Sequence, residues 1–216
     1  MKYRLVIFDL DGTVLDTLQD LANAVNHAME MHSFPTHTIE EVRIMVGNGV
    51  ANLIKRAVPA GTSEEETAQT LADFKAYYRD HVNVCTRPYP GILGMLAALK
   101  NAGVKVGINS NKYDAALQNL CRIHFEGLYD VAAGECETTP KKPDPTAAQR
   151  IMAEYGIPAG ETIYIGDSNV DLETAKNAGI DSAWVCWGFR REEDMAGIEI
   201  PRAFHTAEEL QAFLLG

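Results

Sequence analysis

Short apolar runs separated by helix-length segments that stop on glycine constrain this chain more than any other feature. The strong runs are "VIF" at 6–8, "VKVGINS" at 104–110, "ETIYIGD" at 161–167 and "SAWVCW" at 182–187, with a weaker one, "YDVAAGE", at 129–135. Between them, "GMLAALKNAG" (94–103) and "VDLETAKNAG" (170–179) end on glycine, which readily takes the left-handed turn that closes a helix. "YDAALQNLCRI" (113–123) places Ala116, Leu117, Leu120 and Ile123 at helical spacing. "DPTAAQRIMAEYG" (144–156) reads as an Asp cap, a proline at the first helical position and a glycine stop. Strands alternating with helices of this length predict an α/β fold, a parallel sheet covered on both faces.

The alternation fails once. From Thr17 to Val82 the chain reads as helices only: "LQDLANAVNHAMEM", "EEVRIMVGNGVANLIKRAV" and "SEEETAQTLADFKAYYRDHV". The acids of that last segment suit a helix start through the dipole. The stretch ends before "RPYPGI", whose prolines read as a linker. The expected organisation is a core of residues 1–16 and 83–216 with a helical insert at 17–82. Such an insert follows the carboxyl end of the first strand.

Composition narrows the partners. The 216 residues suffice for one large domain, or for a core carrying a smaller insert. A formal charge of -11 repels nucleic acid and anionic membranes. No apolar stretch approaches the roughly 20 residues that span a bilayer, and too few residues precede Asp9 for a signal peptide. Cys85, Cys121, Cys136 and Cys186 form no CxxC pair, so reduced core thiols in a cytoplasmic protein are expected.

The chemistry lies at the strand ends, where open parallel sheets bind ligands. The first strand meets Asp9 and Asp11, with Gly12 and Thr13 directly behind them. Another ends in Ser110, Asn111 and Lys112, and a third in Gly166, Asp167, Ser168 and Asn169, with Asp171 close by. Lys142 sits in "PKKPDP", just before a capped helix. Burying Asp9, Asp11 and Asp167 together is costly unless a cation neutralises them. A hard divalent ion with oxygen ligands does so, and Mg²⁺ is the usual choice when phosphate and water share its shell. Ser110 and Lys142 add a hydroxyl and a positive charge suited to a phosphoryl group, and Gly12 allows close backbone approach. The expected site is Mg²⁺ plus phosphate, with a carboxylate left to act as nucleophile.

This constellation resembles the haloacid dehalogenase superfamily. "DLDGT" matches its first motif, Ser110 in "INSNK" its second, Lys142 in "KKPDP" its third and "GDSNVD" its fourth, all in family order. The resemblance implies a Rossmann-like core with a helical cap inserted after the first strand. The signals "VGNGV", "RPYPG", "SNK" and "CWGF" look most like the phosphoglycolate phosphatase branch. By resemblance, Asp9 attacks phosphorus and Asp11 serves as general acid and base. Asp9, Asp167 and the Asp11 carbonyl bind Mg²⁺, and Asp171 either orients its waters or ligates it. Thr13, Ser110 and Lys142 hold the phosphoryl oxygens, with Asn111 a further candidate there. Gly47, Asn48 and Gly49 would form a substrate-facing loop. A second carboxylate at Asp11 favours phosphate ester hydrolysis over dehalogenation, because a halide leaves without a proton.

Each of these residues has a plainer reading. Asp9 alone would be a turn residue or helix cap, and Asp171 a helix-dipole acid. Lys141 competes with Lys142, and the proline after Lys142 decides for the latter. His27 and His32 read as surface residues, Trp184 and Trp187 as packing residues. The leading function is a Mg²⁺-dependent phosphatase for a small phosphorylated metabolite, with 2-phosphoglycolate first. The alternatives are a sugar phosphate mutase of the same superfamily, a phospho-acceptor module without turnover, and a non-catalytic scaffold.

Overall fold

The computed structural model describes residues 2–47 and 49–216. In chain order the elements are β1 (Leu5–Phe8), β2 (Leu15–Asp16), α1 (Leu18–Met31), α2 (Ile39–Met45), α3 (Val50–Ala57), α4 (Glu64–His81) and β3 (Arg87–Pro88). There follow α5 (Ile92–Asn101), β4 (Lys105–Tyr113), α6 (Asp114–Phe125), β5 (Val131–Glu135), α7 (Thr146–Tyr155) and β6 (Thr162–Gly166). The last are α8 (Asn169–Ala178), β7 (Asp181–Val185), β8 (Ala203–Phe204) and α9 (Ala207–Leu215). The chain divides into an α/β unit, Met1–Leu15 with Pro88–Gly216, and a helical unit, Asp16–Arg87.

The α/β unit carries a six-stranded parallel sheet in the order β5-β4-β1-β6-β7-β8. β1 is central, and all four of its residues are buried. A strand covered on both faces needs apolar residues at every position, which is why "LVIF" does not alternate. Leu5 and Ile7 pack with Ile151 of α7, Ala175 of α8, Tyr164 and Ile180. Truncating such a side chain, as in Ile7→Ala, costs about 2–5 kcal/mol. Register then positions the site. Phe8 pairs with Ile108 of β4 and with Ile165 of β6, so the residues that follow, Asp9, Asn109 and Gly166, lie side by side at the carboxyl end of β1.

Several details depart from expectation. Asp144 caps α7 from one position further out: the N-cap is Pro145, and Asp144 Oδ1 accepts the Thr146 N–H at 2.9 Å. β4 runs on to Tyr113 past an irregularity after Asn109, which carries "SNK" along the strand end. The "EEVRIMVGNGVANLIKRAV" stretch is two helices, α2 and α3. They are separated where Gly47 and Gly49 take positive φ, of 131° and 85°.

In the helical unit the buried Asp20 of α1 accepts from the N–H groups of Val84, Cys85 and Thr86 at 2.9–3.0 Å and from the Thr86 hydroxyl at 2.8 Å. These bonds attach the segment after α4 to α1, and the unit accordingly reaches Arg87. His27 and His32 are half-buried, not surface residues. His27 stacks on Tyr77, with ring centres 4.1 Å apart, and His32 Nε2 lies 2.9 Å from Asp73. Among the described residues, no helix is long and apolar enough to cross a membrane.

Candidate active site

Asp9 follows β1 and extends the ladder by one bond, its N–H donating to the Ile165 carbonyl at 2.9 Å. The chain then turns so tightly that the N–H groups of Val14 and Leu15 both reach the Leu10 carbonyl. Gly12 takes φ 86° in this turn, and a Cβ there would strike the Asp167 carboxylate. Thr13 is fully buried, and its Oγ1 has no hydrogen-bond partner. An orphaned hydroxyl beside strand-end acids suits a ligand oxygen, because buried polar groups are rarely left unsatisfied.

From β4, Ser110 Oγ accepts the Lys112 N–H at 3.2 Å and so keeps its own proton to donate. Lys112 is buried and its ammonium reaches Asp11, 2.9 Å from Oδ1 and 3.2 Å from Oδ2. Asn111, expected on the phosphate, has both ends of its side-chain amide on the main chain of Lys142. Oδ1 accepts the Lys142 N–H at 2.6 Å, and Nδ2 donates to the Lys142 carbonyl at 3.2 Å.

Lys142 itself is buried and bridges two acids, donating to Asp9 Oδ1 and Asp171 Oδ1 at 2.7 Å each. Lys141 pairs instead with Glu135, in a half-exposed position. Burial opposes the Lys142 charge, but the carboxylates of Asp171 and Asp9 outweigh it and hold the ammonium well above its usual range. The other Asp171 oxygen accepts the Ser168 N–H and hydroxyl, at 3.1 and 2.6 Å. Gly166 makes room for this arrangement, since a Cβ there would collide with the Asp171 side chain.

Asp167 accepts the Phe189 N–H on Oδ2 at 2.6 Å, from the loop after β7. The two tryptophans do more than pack. Trp184 Nε1 donates to the Asp167 carbonyl at 2.8 Å, and Trp187 Nε1 to the Thr13 carbonyl at 2.9 Å. Each indole thus braces the main chain of an expected site residue. "SNK" and "CWGF" mark Lys112, Trp187 and Phe189 by resemblance, but the partners of the indoles, of the Phe189 N–H and of Lys112 carry no local sequence signal. Only the two lysines' burial beside acids sets them apart from ordinary surface lysines.

Among the described residues, the carboxylate oxygens of Asp9, Asp167 and Asp171 lie within 4.8 Å of one another, and all three residues are buried. Burial pushes the Asp9 carboxyl up, Asp171 and Asp11 push the same way, and Lys142 pulls back, leaving it at about 7. Asp167 is raised for the same reasons, burial first and then the charges of Asp171 and Asp9. Acids that resist ionising so close together form a set that a hard cation would stabilise, and an all-oxygen donor set fits one. Asp11 stands apart from this cluster, on Lys112. Gly47 accepts from Arg56 within the helical unit. Gly49 caps α3. Asn48 lies outside the described residues.

A parallel sheet whose strand ends collect acids, hydroxyls and a lysine in this way is the architecture of the haloacid dehalogenase-like hydrolases. The pattern of that family matches residues 6–185, and the chain belongs to it. Similar curated proteins carry a narrower description. The phosphoglycolate phosphatase 1 of Pseudomonas aeruginosa is 35% identical over 89% of this chain and 73% of its own. The phosphoglycolate phosphatase of Thiobacillus denitrificans is 31% identical over 93% and 90%. A crystal structure of a candidate phosphoglycolate phosphatase from Lactobacillus delbrueckii subsp. bulgaricus superimposes with a TM-score of 0.95, at 34% identity, over the whole of both chains.

Proposed function

We propose that this chain is a Mg²⁺-dependent phosphatase that hydrolyses a small phosphate monoester, 2-phosphoglycolate first, through an aspartyl-phosphate on Asp9. The observation that carries the reading is the pairing of each first-strand acid with its own buried lysine, Asp9 with Lys142 and Asp11 with Lys112. Two neighbouring carboxylates held in different surroundings are suited to different tasks. The described relatives, phosphoglycolate phosphatases at 31–35% identity, support the substrate class.

In this reading an Asp9 oxygen attacks phosphorus, and the ester oxygen leaves with a proton from Asp11. Asp11, now ionised, takes a proton from the water that attacks the aspartyl-phosphate. Inorganic phosphate departs, and both acids return to their starting states. Thr13, Ser110 and Lys142 hold the phosphoryl oxygens as charge develops on them. Mg²⁺, held by Asp9, Asp167 and the Asp11 carbonyl, with Asp171 bound to it or orienting its waters, would neutralise both the acids and the phosphoryl charge. The helical unit serves as cap, with Gly47, Asn48 and Gly49 in its specificity loop.

The test is a panel of small phosphate esters assayed with Mg²⁺ and with excess chelator, reporting kcat/KM for each. Turnover that requires the metal and favours 2-phosphoglycolate is expected. Full activity in chelator would overturn the metal-dependent site, and absence of any ester turnover would overturn the phosphatase.

A further inference from the structure

We propose that Asn111 is a positioning residue that acts through Lys142. The inference rests on the phosphatase reading above and deepens it. Lys142 must bring its ammonium to one place, between Asp9 and Asp171, and misplacement by about 1 Å in such a site can cost roughly 10²-fold in rate. Yet the main chain around it has little regular support. Lys142 lies in the long connection between β5, which ends at Glu135, and α7, which begins at Thr146. Among the described residues, the main-chain bonds within that connection join Cys136 with Thr139 and Asp144 with Lys141 and do not include Lys142, while the neighbouring Pro143 carbonyl accepts from Asn177 Nδ2 at 2.9 Å.

Asn111 supplies what the loop lacks. Its amide takes the Lys142 N–H at 2.6 Å and gives a hydrogen to the Lys142 carbonyl at 3.2 Å, as a neighbouring strand would. A primary amide offers an acceptor and a donor in one short planar group whatever the pH. Asp has the acceptor without the donor, and Ser is too short to span both. Asn111 is carried by β4, whose register against β1 also places Asp9. The amide therefore transmits the sheet's geometry to a loop residue 31 positions away in sequence. The ammonium end is located separately, by Asp9, Asp171 and the Tyr164 ring, whose centre is 5.8 Å from Nζ. Tyr164 is fixed in turn by its hydroxyl, which donates to the Asn109 carbonyl at 2.9 Å. Three residues of "NSNK" thus serve different partners: Asn109 receives Tyr164, Asn111 holds Lys142 and Lys112 holds Asp11.

A double-mutant cycle of Asn111→Ala with Lys142→Ala tests this, read by kcat/KM on 2-phosphoglycolate and on an aryl phosphate with Mg²⁺ present. In the wild-type background Asn111→Ala should lower kcat/KM by about 10- to 100-fold. The loss should be equal for both esters, because Lys142 serves the transferred group and not the leaving group. In the Lys142→Ala background it should cost about twofold or less, the ordinary error of additivity. An equal loss in both backgrounds would overturn the inference and return Asn111 to direct substrate contact. Unchanged kcat/KM in the single variant would overturn it too. If the alanine variant does not fold, Asn111→Ser runs the same cycle. The denaturant midpoint of the four proteins gives a second readout that needs no turnover. Lys142→Ala keeps the main-chain groups that Asn111 holds, so Asn111→Ala should lower the midpoint in both backgrounds. No lowering in either would overturn the contact, whereas that lowering with an inactive wild type would sink the phosphatase reading.

Discussion

Lys112 Nζ lies 2.9 Å from one oxygen of Asp11 and 3.2 Å from the other, so the proposed acid–base group is gripped by a buried cation. Asp11→Asn should therefore hurt esters with poor alkoxide leaving groups far more than aryl phosphates, which need no proton. General acid help is worth about 10²–10⁴ in rate. Lys112→Met should show a smaller loss with the same bias, since it frees Asp11 from its orientation. The ratio of kcat/KM for alkyl and aryl esters measures both, and a ratio unchanged from wild type would remove the pair from proton transfer.

Asp9→Asn should abolish turnover while the protein stays folded, because an amide is a poor nucleophile and nearly isosteric. Water that attacks the phosphorus of the aspartyl-phosphate breaks the bond from phosphorus to the Asp9 oxygen, so two displacements occur at phosphorus and an ester chiral at phosphorus should react with retention of configuration. Inversion would mean that water attacks the ester directly, without the covalent intermediate.

Lys142→Ala should lose about 10² in kcat/KM, the usual cost of removing a charge-assisted contact to developing charge. Lys141→Ala should change little, since its ion pair with Glu135 is partly exposed. Lys142→Ala also leaves Asp9 and Asp171 buried without their cation, a loss that costs about 3–5 kcal/mol when nothing else compensates. Its denaturant midpoint should therefore recover with added Mg²⁺ more than that of wild type. A crippled Lys141 variant would shift the site's lysine by one residue.

The metal-depleted protein should lose stability as pH rises. Asp9 has its ordinary value of 3.8 in the unfolded chain and about 7 when folded. Below the lower value both states carry the proton, and no stability is lost. Between about pH 4 and 7 the folded state keeps a proton that the unfolded state has released, so stability falls across that window. Asp167 is shifted the same way and adds to the slope. Urea midpoints in chelator should fall with pH, and Asp9→Asn should flatten the decline. Mg²⁺ should raise the midpoint more at the alkaline end. An identical slope in Asp9→Asn would mean that Asp9 is not buried as described.

Gly47 has φ 131°, where an L side chain is strained. Gly47→Ala should change the kcat/KM ratio between 2-phosphoglycolate and a small aryl phosphate while aryl hydrolysis survives. Parallel loss of both would place this turn in the support of α2 and α3.

The features legible in the sequence are local ones. The uninterrupted apolar run before Asp9 and the glycines after α5, α7 and α8 each follow from the conformational preferences of a few adjacent residues. Three of the four motifs are visible for the same reason: strand ends in a parallel sheet put chemistry at the residues that directly follow an apolar run, whereas Lys142 is marked by resemblance and by the proline after it. What only the tertiary structure decided is who partners whom. Lys112 meets Asp11 across 101 residues, Lys142 meets Asp9 across 133, and Asn111 turns from the expected phosphate to the main chain of Lys142. Trp184 and Trp187 read as packing residues in the sequence, and in the fold their indole N–H groups donate to the carbonyls of Asp167 and Thr13. The short β8 has no signal of its own, because its two residues gain their place from pairing with β7. A side chain's type is written in the sequence, but its partner depends on strand register and loop path. Those follow from burying non-local apolar surface such as Leu5, Ile7, Ile151 and Tyr164 together.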